Sequence, residues 1–312
     1  MSHRTNRREF LKGGLLATAA VVSGGAAGLM LPDPSGAAPT PDVVVSHGTD
    51  PARITRAAVD ALGGIKRFVK PGARVVIKPN MSFASAPARA ANTSPEIVRE
   101  VALMCSEAGA SRIAVLDYVL NDPNACLEQS GILAACADIP NTSVKNVQSK
   151  RLFTSVEVKG GRQLKTLSVV TEVLDSDVLI AIPRGKSHSS AGVSLSMKGM
   201  MGLIYDRAAF HSRYDLHESV VDMVTVLKPH LVVVDGTRIL STAGPSGPGK
   251  VIPLNLVIAS ADMVAADAQM VTLGTWYGRK FLPDQVSHIR SAAERGLGSM
   301  NLKQLNVVDV KS

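Results

Sequence analysis

Six short runs of aliphatic, mostly β-branched residues recur along this chain, and helix-forming stretches separate them. The runs are Val43–Ser46, Val75–Lys78, Ile113–Asp117, Val178–Ile182, Leu231–Asp235 and Asn255–Ala259. Each is nearly continuous in hydrophobicity, without the alternation of a strand that shows one face to water. That pattern belongs to strands buried on both faces of a parallel sheet. Helix signals fall between them. Asp50-Pro51 offers an N-cap followed by a proline at the first helical position. Thr93-Ser94-Pro95-Glu96 opens a second helix, with Ile97, Val101, Cys105 and Ala108 on one side and Gly109 at its end. Asp215 with Glu218 three residues on resembles a capping box. Val156–Leu167 reads as a β-hairpin turning on Gly160-Gly161. The expected fold is α/β, a mostly parallel, doubly wound sheet with a β-hairpin insertion. A sub-boundary is placed near residues 140–170.

The first 37 residues stand apart. Asn6-Arg7-Arg8-Glu9-Phe10-Leu11-Lys12 resembles a twin-arginine translocation signal. A Gly- and Ala-rich apolar stretch, Gly13 to Leu31, follows it, and small residues at Ser35-Gly36-Ala37 offer a cleavage site. Residues 1–37 are therefore read as a signal peptide and 38–312 as the mature α/β domain. The expected partner is the twin-arginine translocase, and the expected location is periplasmic or otherwise exported. The alternative is a membrane anchor formed by an uncleaved signal, since 19 residues nearly span a bilayer. No second stretch of that kind follows, so no span is expected after signal removal.

Composition narrows the function classes. The 312 residues carry 34 Lys and Arg against 26 Asp and Glu, or +8. Without residues 1–37 the balance is 30 to 24, or +6. No run of five like charges occurs, so nucleic-acid binding is not expected. Aromatics are 4% with one Trp, too few for a base- or sugar-stacking platform. Three cysteines, Cys105, Cys126 and Cys136, exclude a dense disulfide scaffold. They read as small buried residues, with a Cys126–Cys136 bridge as a minor alternative.

Ligands of open α/β sheets bind beyond the carboxyl ends of the strands. The residues due there include Lys78 and Asn80 after the second run and Asp117 at the end of the third. Lys186 and His188 follow the fourth run, then Lys198, His211 and His217, and Asp235 ends the fifth. Lys78, Asn80, Lys186 and Lys198 are read as ligand-binding, because ammonium groups in an apolar setting attract phosphate or carboxylate. The competing reading is local pairing with carboxylates. His188 and His211 are candidates for proton transfer, with Asp117 and Asp235 as orienting groups or bases. The aspartates could equally be turn caps. The histidines match no compact metal motif, so a metal stays unassigned. Gly244-Pro245-Ser246-Gly247-Pro248-Gly249-Lys250 has phosphate-loop spacing, but Val251 stands where Ser or Thr should hold Mg²⁺, and the two prolines remove donors. It is read as a rigid loop over the crevice. No G-x-G-x-x-G or G-x-S-x-G element supports a dinucleotide site or a hydrolase elbow.

Several ordered motifs together resemble the DUF362 family, a domain of unknown function. They are Gly63-Gly64-Ile65, Val75 through Asn80, Thr93 through Val98, Asp177 through Pro183 with Lys186 and His188, and Met197-Lys198-Gly199-Met200-Met201-Gly202. Phe210-His211, Val234-Asp235-Gly236, Gly244-Pro245 and the Asp262–Asp267 region complete the set. The resemblance implies an α/β fold and leaves the cofactor unknown. Many members carry a fused ferredoxin-like module, but three scattered cysteines give no in-chain iron–sulfur cluster here. Two departures stand out. Gly199 occupies a position where the family has Asn, and Ser241-Thr242-Ala243 replaces an acidic residue and Gly. Both remove polar groups from the expected site and imply a changed substrate or lost turnover. An enzyme acting on a small anion, a non-catalytic ligand- or metal-binding accessory protein and a partner-binding protein all remain open. If the N-terminal reading holds, changing both Arg7 and Arg8 to Lys abolishes export, measured by cell fractionation. Normal export of that variant would contradict the reading.

Overall fold

The computed structural model describes residues 39–312. Residues 1–37, read above as a twin-arginine signal peptide, lie outside the described residues. Each of the six runs is a strand. In chain order the strands are β1 (Val43–His47), β2 (Arg74–Pro79), β3 (Arg112–Asp117), β4 (Thr142–Asn146), β5 (Phe153–Glu157) and β6 (Thr166–Val170). Then come β7 (Val178–Ile182), β8 (Arg184–His188), β9 (Gly192–Ser194), β10 (Leu231–Leu240), β11 (Val251–Ser260) and β12 (Val307–Lys311). The main sheet runs β12-β1-β11-β10-β7-β2-β3-β4, with β8 pairing β10 and β9. The pairs from β10 through β7, β2 and β3 to β4 are parallel. One difference from expectation lies in β11, which runs antiparallel to both β10 and β1. The short loop 241–250 joins β10 directly to β11, and a parallel crossover needs about a dozen residues or more.

Residues on alternate positions of the strands enter two separate cores. Val76, Leu179, Ala181, Val232 and Val234 pack with helices Leu216–Val226 and Met263–Leu273. Val75, Ile77, Ile180, Val233 and Val257 pack with helices Pro51–Ala61 and Pro95–Glu107. Burial on both faces explains the continuous apolar runs. The helix starts follow their caps. Asp50 Oδ1 accepts from the N–H groups of Ala52 and Arg53 at 3.0 and 3.1 Å. Asp215 Oδ1 accepts from Glu218 N at 2.8 Å. The reciprocal half of that capping box is missing, because Glu218 instead accepts from Ser291 Oγ at 2.6 Å. The hairpin pairs β5 with β6, and Val156 lies opposite Leu167. Its ladder reaches further than expected, from Phe153 to Val170. All three cysteines are buried and free, so Cys126 and Cys136 are not bridged. Among the described residues no helix is long and apolar enough to cross a membrane.

The topology creates a split. From β2 the chain steps outward through β3 to β4, then returns as β7 on the other side of β2. Such a reversal leaves a crevice at the carboxyl ends of the two central strands. Arg184, the first residue past Pro183, anchors this point. Its fully buried guanidinium donates to Asp235 Oδ1 at 2.9 Å, Thr237 Oγ1 at 3.1 Å, Asn92 O at 2.7 Å and Ser94 Oγ at 2.9 Å. Asp235 Oδ2 accepts from Ser94 N at 2.7 Å, at the start of helix Pro95–Glu107. Removing one partner of a buried pair strands the other charge. Asp235→Ala should therefore cost about 3–5 kcal/mol of unfolding free energy in urea titrations. A cost below about 1 kcal/mol, the range of an exposed pair, would show that the guanidinium does not depend on this carboxylate.

Candidate functional site

The crevice is a cleft of about 320 Å³ whose lining includes Lys78, Asn80, Asp117, Lys186, His188, Lys198, Arg207 and His211. A larger hollow of about 430 Å³ opens by the amino ends of β2 and β3. There Arg112 and Lys145 both pair with Glu172, at 2.7 and 2.8 Å, and Arg74 pairs with Asp177 at 3.2 Å. Each of these three cations has a carboxylate at ion-pair distance, so volume alone does not mark the site.

In the smaller cleft compensation fails. Lys78, Lys186, Lys198 and Arg207 face a single lining carboxylate, Asp117. Lys78, from the end of β2, meets Asp117 Oδ1 of β3 at 3.1 Å, both side chains being almost wholly buried. Lys78 Nζ also donates to Pro79 O. The other carboxylate oxygen, Oδ2, accepts from Met81 N at 2.9 Å and Ser82 Oγ at 2.7 Å. Burial holds the Lys78 ammonium below its ordinary pKa. Asn80 bridges the split, its Oδ1 accepting from Arg184 N at 2.9 Å.

Strand alternation puts Arg184, Lys186 and His188 on one side of β8. Ser187, on the other side, accepts from Gly244 N at 3.0 Å and so fastens loop 241–250. That loop runs directly into β11, as a rigid cover rather than a phosphate loop followed by a helix, and Pro245 lines the cleft. Lys186 Nζ donates to Ala91 O at 2.6 Å and lies 4.9 Å from the centre of the Phe83 ring. Burial first, then Lys78, Lys198 and Arg184, push its pKa down to about 7 against the pull of Asp117.

Lys198 rides on the short helix Ser196–Gly199. The helix is held by Asp267, whose carboxylate oxygens accept from Ser196 N at 2.9 Å and Met197 N at 3.0 Å. Burial raises the Asp267 pKa to about 7. Lys198 Nζ donates only to the thioether of Met201, at 3.5 Å, and has no carboxylate at ion-pair distance among the described residues. Burial and Arg207 bring its pKa down to about 8.

His188 Nδ1 accepts from Ser190 N at 3.2 Å and Ala191 N at 3.3 Å, which leaves the ring proton on Nε2. Burial, followed by Lys198 and His211, holds its pKa down at about 3. His211 stacks on it with ring centres 6.0 Å apart. Lys78, Asn80, Asp117, Lys186, His188, Lys198 and His211 thus converge. Asp235 does not; it belongs to the Arg184 frame beside the cleft. His217 also lies apart, stacked at 5.6 Å on buried His288. Among the described residues, no three or more His, Cys, Asp or Glu side chains are grouped so as to hold a metal.

Sequence reasoning missed Arg207, Phe83 and the positioning role of Asp267. Arg207 donates to Tyr118 O and Val119 O at 2.6 and 2.9 Å and lies 4.3 Å from the Tyr118 ring centre. It comes from an irregular polar segment with no motif to flag it. Asp267 sat in a region that resembled the family but looked like an ordinary helix position.

Two glycines show how tightly the cleft is built. A Cβ on Gly202 would lie 1.9 Å from Asp117 Oδ1 and 2.4 Å from Lys78 Cε. A Cβ on Gly199 would meet only Asn80 Nδ2, at 3.8 Å. Gly202→Ala should destabilise the fold by about 1–3 kcal/mol, the scale of core overpacking. Gly199→Asn should stay within about 0.5 kcal/mol of the parent in the same denaturation assay. Equal effects at both positions would contradict this geometry.

The Domain of unknown function (DUF362) profile matches residues 75–272, more than half of the chain. The Thylakoid-associated protein sll1697 of Synechocystis sp. is 28% identical over 227 residues. The match covers 68% of this chain and 66% of that protein. The lactate racemase apoprotein from Thermoanaerobacterium thermosaccharolyticum superposes with a TM-score of 0.46 at 12% identity, covering 79% of this chain and 57% of that one. A Thermotoga maritima protein superposes with a TM-score of 0.45 at 10% identity, over 80% of this chain and 60% of that one. With the family motifs lining the cleft and its rim, the chain belongs to the DUF362 family.

Proposed function

We propose that this DUF362 protein is exported by the twin-arginine route and binds a small anionic ligand in the cleft at the ends of β2 and β8. One observation carries the binding reading. Among the described residues, four cations share the cleft with one carboxylate, and Lys198 has only a thioether for a partner. Buried cations without counter-charge are costly, and a bound anion removes the cost. Low-dielectric walls also focus the field on an entering anion. Asn80 and the stacked pair His188 and His211 supply polar groups beside it. Since His188 is held neutral with its proton on Nε2, it can donate to an anion or exchange a proton with it. The enzyme reading rests on those imidazoles. The alternative, a ligand-holding accessory protein, is favoured by the absence of a side chain at Gly199, where a Cβ would touch Asn80 Nδ2 at 3.8 Å without a clash.

The pH dependence follows from linkage. A bound anion favours ammonium forms, so it raises the pKa of Lys198 above about 8 and that of Lys186 above about 7. Binding takes up protons in that range, and affinity falls as pH rises through those values. Calorimetric titration with phosphate, sulfate and propionate should show tighter binding at about pH 6 than at about pH 9. Lys198→Ala should weaken binding by about 1–3 kcal/mol and flatten the part of the pH dependence near 8. Failure of all three anions to bind, or binding indifferent to Lys198, would refute the proposal.

A further inference from the structure

The three cleft lysines are not equivalent. Lys78 is committed to Asp117 at 3.1 Å. Lys198 is the most exposed of the three, at 8%, and has no oxygen partner among the described residues. It is free to meet a ligand charge. Lys186 is 2% exposed, sits in the middle of β8 and is anchored by one N–H to Ala91 O at 2.6 Å. The Phe83 ring walls one side of it, and no carboxylate lies at ion-pair distance among the described residues. A strand position fixes the amine far better than a loop would. An amine so placed, among other cations, is a poor anion clamp but a suitable nucleophile.

We propose that Lys186 condenses with the carbonyl of a small 2-oxo acid or aldehydic acid, while Lys198 and Arg207 hold the carboxylate of the same molecule. The proposal rests on the anion-binding reading and names its substrate class. The Lys186 amine attacks the carbonyl carbon to give a carbinolamine. Loss of water, whose oxygen is the former carbonyl oxygen and whose hydrogens balance those lost from the amine, leaves a C=N bond to Nζ. Nothing is oxidised or reduced. Protonation of the imine nitrogen restores one N–H, which can keep the bond to Ala91 O and makes the adjacent carbon acid more acidic. The Nε2–H of His188 and the imidazole of His211 line the same cleft and can exchange protons with the carbinolamine oxygen. The electrostatic setting agrees with the geometry. With a pKa of about 7, Lys186 carries about a thousandfold more free amine at neutral pH than an ordinary lysine.

The test is reductive trapping on the full chain. Pyruvate or glyoxylate is added with cyanoborohydride at neutral pH, and the product is read by intact mass and peptide mapping. A single secondary-amine adduct on the Lys186 peptide is expected. It should be lost in Lys186→Arg, which keeps the charge, and reduced in Lys198→Ala. With substrate far below saturation, so that the ligand-free chain sets the titration, the trapping rate in the parent should rise with a midpoint near 7. This second reading holds even if Lys186→Arg folds poorly. An adduct spread over surface lysines such as Lys66 and Lys70, or a rate that rises only in the ordinary lysine range, would overturn the proposal. Propionate, which has the carboxylate without the carbonyl, separates the two readings. If propionate binds and no adduct forms, the imine is wrong and the anion site stands. If no adduct forms and phosphate, sulfate and propionate all fail to bind, both fall.

Discussion

The buried Arg184–Asp235 pair fixes the geometry on which the site depends. It sits where β7 gives way to β8, beside the split between β7 and β2. Pro183 has no N–H to offer the sheet, so the chain is free to leave the ladder there. Arg184 then closes the gap with hydrogen bonds to β10, to the segment before helix Pro95–Glu107 and to Asn92. Two of its contacts, Ser94 and Asp235, are themselves hydrogen-bonded to each other. The network is saturated, which is the condition under which a buried charge is tolerated. Because β8 alternates, fixing Arg184 also fixes the side from which Lys186 and His188 emerge. The frame and the cleft are thus set by one strand of five residues.

The same strand shows two opposite solutions to burying positive charge. Arg184 has a carboxylate and four further oxygen acceptors. Two residues on, Lys186 has one carbonyl and an aromatic face. A guanidinium cannot shed its proton, so it must be paired. A lysine can, and burial drives it toward neutrality. Repulsion among Lys78, Lys186, Lys198 and Arg207 adds to that drive. Proton loss relieves the cleft, and on the anion-binding proposal an incoming anion would do the same, so the two would compete and make binding sensitive to pH.

Much of this was legible in the chain itself. Burial on both faces of the sheet left apolar runs without alternation, and each of the six became a strand. The short hydrogen-bonded cap at Asp50 and the Ser94-Pro95 start were equally visible, because a local rule decides them. The direction of β11 was not, since it depends on a loop too short for a crossover rather than on the strand's own composition. Lys78, Asn80, Lys186 and Lys198 could be nominated because a lysine after or within an apolar run is conspicuous. The partner of each could not. Asp117 and Asp235 look alike in sequence, each ending an aliphatic run. Only the register of the neighbouring strands gives one to Lys78 and the other to Arg184. Arg207 and His288 escaped notice because their neighbours in space lie far away in the chain.

The departures from the family motifs gain meaning from the same geometry. Gly199 leaves room next to Asn80, so the missing Asn subtracts a polar group from the cleft without disturbing its walls. Ala243 stands in the loop fastened to Ser187, with φ at 54°, a left-handed conformation that glycine adopts at least cost. Here Gly202 still makes way for the Lys78–Asp117 pair, Asp267 still holds the helix that bears Lys198, and Lys186 keeps its anchor. The cleft lysines have these supports, while Gly199 beside Asn80 carries no side chain. On the anion-binding proposal, the departures would change what a ligand meets beyond its anionic group and leave the lysines that would hold that group in place.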